Sequence, residues 1–137
     1  MNTKQIYIGI TALIIVLLGW SYLIRANDPT IIAYHGIHWH SSLTIKVGST
    51  TIPVPAGIGL GISEKPIHTH DATGKIHMEF SGVVHNSDLM LKNVFKEWGK
   101  PMDSFGSNIT MTVNNATSTE YGNYVMRDGD KIVLKFN

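Results

Sequence analysis

Residues 109–136 read ITMTVNNATSTEYGNYVMRDGDKIVLKF, and the fold class follows from how this stretch divides. Ile109, Met111 and Val113 alternate with threonines, the period of a half-buried strand. Tyr124-Val125-Met126, then Asp128-Gly129, then Ile132, Leu134 and Phe136 read as a closing hairpin. Just upstream, Leu91, Val94, Phe95 and Trp98 fall at i, i+3, i+4 and i+7, which predicts one amphipathic helix. Ser87 or Asp88 can cap its start, Gly99 its end, and Pro101 stops it from continuing. Further out, Ile76, Met78 and Phe80 alternate with His77 and Glu79, and Leu43, Ile45 and Val47 alternate with Ser42, Thr44 and Lys46. Gly48-Ser49 turns the chain into a second extended segment, 51–55, whose Pro53 and Pro55 cannot donate to a ladder and so place it at an edge or end it early. Gly57, Gly59 and Gly61 mark a loop. The order is hairpin, strand, helix, strand, hairpin: an α+β fold with one helix packed on a mixed sheet.

Ahead of this domain, Ile6 to Ile24 contains no charged residue. As a helix it covers roughly 28 Å, about one bilayer hydrocarbon core. Trp20 and Tyr22 stand near its end, where amphipathic rings favour the interface. The apolar run is long for a signal peptide, and no small-x-small cleavage site follows Ile24. The expectation is an uncleaved anchor over residues 1–25, embedded in the lipid bilayer through residues 6–24, then one domain over 26–137. A short leader before the span and a folded domain after it place that domain outside the cytoplasm, in a single-pass protein of the cell membrane. Asn27-Asp28-Pro29-Thr30 reads as a short break between the two.

Residues 26–137 carry nine basic and ten acidic side chains. Without a basic excess to displace phosphate counterions, nucleic acid is not expected as a partner. The absence of Cys removes disulfides, thiolate zinc sites, iron–sulfur clusters and cysteine nucleophiles together.

Chemistry is left to the histidines. Six of the seven form two clusters, His35/His38/His40 and His68/His70/His77, with His85 shortly after. Residues i and i+2 of an extended chain point to one side, so His38 pairs with His40, His68 with His70, and His77 with Glu79. By parity, His38 and His40 lie opposite the apolar face of the strand through Leu43, with Trp39 on that face. His77 and Glu79 likewise oppose Ile76, Met78 and Phe80. Imidazoles on polar strand faces can converge, and two HxH pairs with a third His make a ligand set suited to zinc or copper(II). The expected ligands are His38, His40, His68, His70, His77 and Glu79, with Asp71 as an oxygen ligand or a partner fixing a tautomer. His35 and His85 are read as peripheral, and Met78, Met111 and Trp98 as core. Among metals, imidazole favours copper(II) in intrinsic affinity, with zinc second.

Two resemblances accompany this reading. The 109–136 stretch looks like the end of a β-grasp (ubiquitin-like) domain, in which an Asp-Gly-Asp turn precedes the last strand and the helix crosses the sheet after the first hairpin. The whole soluble part resembles a group of uncharacterised, membrane-tethered extracytoplasmic domains of bacteria and archaea. These carry HxH, then HTHD-x-x-G-x-IHxE, then a Phe/Trp-Gly helix; the matching residues are His38-Trp39-His40, His68-Thr69-His70-Asp71, Gly74, Ile76-His77-Met78-Glu79, Phe95 and Trp98-Gly99. The group supplies a pattern and no mechanism.

The functional expectation is a membrane-anchored domain that holds copper or zinc, or delivers it to a membrane-protein partner. Two alternatives stand beside it. One is an interaction or assembly module in which the histidines form a structural polar network. The other is a small metal-dependent enzyme. Against the latter, the HxHxDH pattern of metallo-hydrolases fails at Ala72 and Thr73, and cupin spacing fails at Gly74 and Lys75. Binding, not catalysis, is therefore expected.

Overall fold

A computed structural model describes residues 2–26 and 28–137; Asn27, the first residue of the expected break, lies outside them. The chain divides into two compact units, one ending at Thr30 and the other Ile31–Asn137.

In the first unit, helix α1 (Thr3–Ala26) includes the whole uncharged run. None of its side chains is buried, and its best window has a mean hydropathy of 2.1. It is long and apolar enough to cross a membrane. The Asn2 carboxamide accepts the Lys4 N–H at 3.2 Å, one of the four donors that a helix start leaves without an internal partner.

The second unit contains β1 (Ile31–Ala33), β2 (Ile37–Val47), β3 (Thr50–Ile52), β4 (Ile67–His68), β5 (Lys75–Phe80), β6 (Val84–His85), α2 (Lys92–Trp98), β7 (Ile109–Val113), β8 (Ala116–Ser118) and β9 (Lys131–Phe136). The main sheet runs β4-β5-β2-β9-β7-β8, and β1 pairs with β6 separately. Only β2 and β9 are parallel; every other pair is antiparallel. This is a mixed, mostly antiparallel sheet with a short packed helix.

Strand β2 organises it. Along one edge, residues 42–47 pair with β9. Along the other, residues 37–42 pair with β5 and residues 45–47 with β3. The β2–β3 hairpin stops at Ile52, where Pro53 removes the next donor, as its prolines imply. The core face carries Leu43, Ile45, Ile67, Ile76, Met78, Met111, Ile132, Leu134 and Phe136, closed by Val94 and Phe95 of α2. Met78 and Met111 are buried there, as parity implies. Val47 departs from its expected place: it ends the strand beside the turn and is 37% exposed.

Two local expectations change. Helix α2 starts at Lys92; Ser87 and Asp88 belong instead to a 3-10 turn over Asn86–Leu89, in which the Asp88 carboxylate accepts the His85 N–H at 2.8 Å. The C-terminal end follows expectation, with Gly99 at φ +72° donating its N–H to the Lys96 carbonyl.

The closing hairpin is not formed by 124–126 and 132–136. The hairpin partner of β7 is β8, reached through a two-residue turn at Asn114 and Asn115, both at positive φ, a conformation asparagine tolerates. Strand β9 inserts between β7 and β2. Residues 124–126 lie against the segment before α2: the Leu91 N–H donates to Tyr124 O, and the Met126 N–H to Leu89 O. The buried Asp130 carboxylate diverts this segment, accepting from the Arg127 N–H and the Tyr124 hydroxyl, each at 2.7 Å, and from the Asn114 amide at 2.9 Å. Burial and that neighbouring carboxylate push the Tyr124 hydroxyl well above its ordinary pKa.

Candidate metal centre

Register places the histidines. Across β4, β5 and β2, Ile67, Met78 and Trp39 form one row on the core side. One residue along, His68, His77 and His40 form the next row on the opposite side, and Glu79 stands directly across from His38. Facing residues on neighbouring strands bring their Cβ atoms to about 5 Å, so three adjacent strands suffice to gather the imidazoles. His70, two residues past His68, adds a fifth.

The contacts are close. His40 Nε2 lies 3.1 Å from His77 Nδ1, and His68 Nε2 lies 3.2 Å from His70 Nε2. The His70 and His77 ring centroids are 4.6 Å apart, and the His68 and His77 rings stack at 5.1 Å. Glu79 Oε1 is 3.4 Å from His38 Nε2, 3.6 Å from His77 Nδ1 and 3.9 Å from His68 Nε2. Among the described residues, three groups bring one donor atom from each member within 4.8 Å of one another: His68/His70/His77, His38/His40/Glu79 and Glu64/His68/Glu79. An ion bonded to imidazole nitrogen at about 2.0–2.1 Å in tetrahedral geometry separates its ligand atoms by roughly 3.3 Å. The two closest nitrogen pairs already match that spacing.

Burial is graded across the cluster. His68 is fully buried although it sits on the side opposite the core. The 57–66 loop folds over it: the Lys65 carbonyl meets His68 Nδ1 at 2.9 Å, and the Lys65 N–H donates to the Gly59 carbonyl. A carbonyl only accepts, so that hydrogen bond puts a proton on His68 Nδ1 and leaves Nε2 as the atom that faces the cluster. Gly59, at φ +68°, is required here, because a Cβ would overlap the Ile67 carbonyl. His40 and His77 are half-buried, while His38 and His70 are exposed.

Burial, followed by the neighbouring His40, His70 and His68, holds the His77 ring below the ordinary histidine pKa, and Glu79 opposes this. The neutral, ligating form of His77 is thereby favoured.

A turn anchors the β2 end of the site. The His40 N–H donates to the Asp128 carboxylate at 2.8 Å, and the Gly129 N–H donates to the His40 carbonyl at 2.7 Å. The Asp-Gly-Asp turn before β9 thus clamps the backbone of a cluster histidine.

Of the residues expected from the sequence, His38, His40, His68, His70, His77 and Glu79 come together. Asp71 stands outside the three groups. Its carboxylate accepts the Thr73 N–H at 2.9 Å and the Thr73 hydroxyl, bonds that shape the turn into β5 and hold its carboxyl below the ordinary range. His35 and His85 also lie outside these groups. Glu64 was not expected: it approaches His68 Nε2 at 3.3 Å. Its only sequence signal is a place four residues before His68, a spacing without meaning in an irregular loop. Comparison with protein-family models, with curated proteins and with solved structures returns no match.

Proposed function

We propose that this protein is a single-pass membrane protein whose domain outside the cytoplasm binds copper(II) or zinc through histidines. The observation that carries the reading is the convergence of five imidazoles and the Glu79 carboxylate from β2, β4, β5 and the residues just after β4. Neutral imidazole nitrogens with one carboxylate are the donors these ions take readily. His38, His40, His68, His70, His77 and Glu79 would hold the metal, with Glu64 as a further oxygen donor. A bound ion would replace the short histidine–histidine hydrogen bonds by coordination.

Holding and handing over metal fits the site better than a reaction does. His38 and His70 are exposed at the rim, where an incoming ligand from a membrane-protein partner can exchange with them. Helix α1, by length and composition, supports anchorage near such a partner. The domain is read as β-grasp-like. The path β3-β2-β9-β7-β8, which contains the parallel pair β2 and β9, supports this, and β4 and β5 are then additions that carry two of the five clustered histidines, His68 and His77.

Titration of the full chain in detergent micelles with copper(II) or zinc tests the proposal. Dissociation constants below about 10 µM, a binding free energy of about −7 kcal/mol or stronger, are expected. Weaker binding of both ions would end it.

A further inference from the structure

The cluster holds more donors than one ion takes. Five imidazoles, Glu79 and Glu64 make seven donor side chains, whereas zinc takes four ligands in most sites and copper(II) prefers a tetragonal set. The donors also divide. His68/His70/His77 and His38/His40/Glu79 share no residue, yet each gathers three donor atoms within 4.8 Å. The first triad is built from β4, β5 and the residues just past β4, the second from β2 and β5. Two contacts join the triads: His40 Nε2 lies 3.1 Å from His77 Nδ1, and a single Glu79 oxygen lies 3.4 Å from His38 in its own triad, and 3.6 and 3.9 Å from His77 and His68 in the other. Two neighbouring divalent cations repel, and a shared carboxylate offsets that repulsion. Glu64, 3.3 Å from His68 Nε2, supplies a second negative charge beside the first triad.

Building on the metal-binding reading above, we infer that the domain takes two transition-metal ions. One sits on His68/His70/His77 and the other on His38/His40/Glu79, with the Glu79 carboxylate bridging them. Each triad has one exposed member, His70 in the first and His38 in the second, so each half can be disabled with little disturbance of the fold.

Full-length protein in detergent micelles is loaded with copper(II), freed of excess metal and assayed twice, for copper per chain and for unpaired spins by electron paramagnetic resonance. Wild type is expected to hold two copper ions with a spin count well below two, because the bridged ions couple. His70→Ala and His38→Ala are each expected to hold one ion, with one full spin. Glu79→Gln, which removes both the bridge and a donor of the second triad, is expected to lose the coupling whether it retains one ion or two. One ion per wild-type chain would overturn the binuclear inference and leave the metal-binding function standing; no ion would overturn both. Two ions with two full spins, or coupling that survives Glu79→Gln, would overturn the shared carboxylate.

Discussion

His77 stands in the middle of the row His68–His77–His40, in ring contact with both neighbours. Its pKa is held below the ordinary histidine value of about 6.5, chiefly by burial. The native state of the metal-free protein therefore binds fewer protons at this site than the unfolded chain does. Its contribution to stability is complete above about pH 6.5 and is lost as pH falls through the lowered native pKa. Urea midpoints of metal-free protein are expected to drop between pH 7.5 and pH 5, and His77→Gln to drop less. An equal drop in both would exclude His77 as the cause. In the same window, protonation of imidazoles competes with metal, so metal affinity is expected to fall between about pH 7 and 5. Asp71 has a different task. Its carboxylate closes a turn with Thr73 and stands outside the three donor groups.

The elements hold these side chains by backbone contacts at a few tight places. One is the loop between β4 and β5. The Leu43 N–H donates to the Gly74 carbonyl at 2.8 Å, and a Cβ on Gly74, at φ +81°, would overlap the Leu43 carbonyl. Gly74→Ala is expected to destabilise the domain by about 3 kcal/mol, the upper end for a strained backbone position because steric overlap adds to the conformational cost. Chemical denaturation would measure this, and a change under about 1 kcal/mol would show that the loop relaxes freely. The cluster histidines on either side of Gly74, His70 and His77, would lose their alignment together. The 127–130 turn acts similarly on β2, since Asp128 and Gly129 both bond to the His40 backbone.

For the molecule as a whole, the cluster ties β2, β4, β5 and the 57–66 loop to one another, so metal should act as a staple. A ligand that binds only the folded state at about 100 times its dissociation constant adds about 2.7 kcal/mol. For a domain of this size that corresponds to a rise of roughly 10 °C in Tm. Thermal unfolding with and without copper(II) or zinc is expected to show this rise, and a chelator to reverse it. An unchanged Tm would mean that the cluster does not bind metal in the native state. Near neutral pH the domain has almost balanced charge, with nine basic and ten acidic side chains after residue 25. Its surface therefore offers no general electrostatic attraction for metal, and capture rests on local ligands.

Local pattern was enough for the features that depend on near neighbours. The uncharged run before Arg25, the alternation through Leu43 and through Ile76, the helix with its Gly99 terminus and the shared side of each histidine pair are all periodic or capping signals read within a few residues. The α+β class follows from their order. Tertiary structure decided what depends on distant partners: that β5 and β3 share one edge of β2, that β9 enters between β2 and β7, and that residues 124–126 turn aside toward the segment before α2. It also decided that three histidine-bearing segments lie side by side and that Glu64 joins them. Periodicity tells which side of a strand a residue occupies. Strand neighbours and loop paths are chosen by packing and by buried groups such as Asp130, whose partners at 114 and 124 no local window contains.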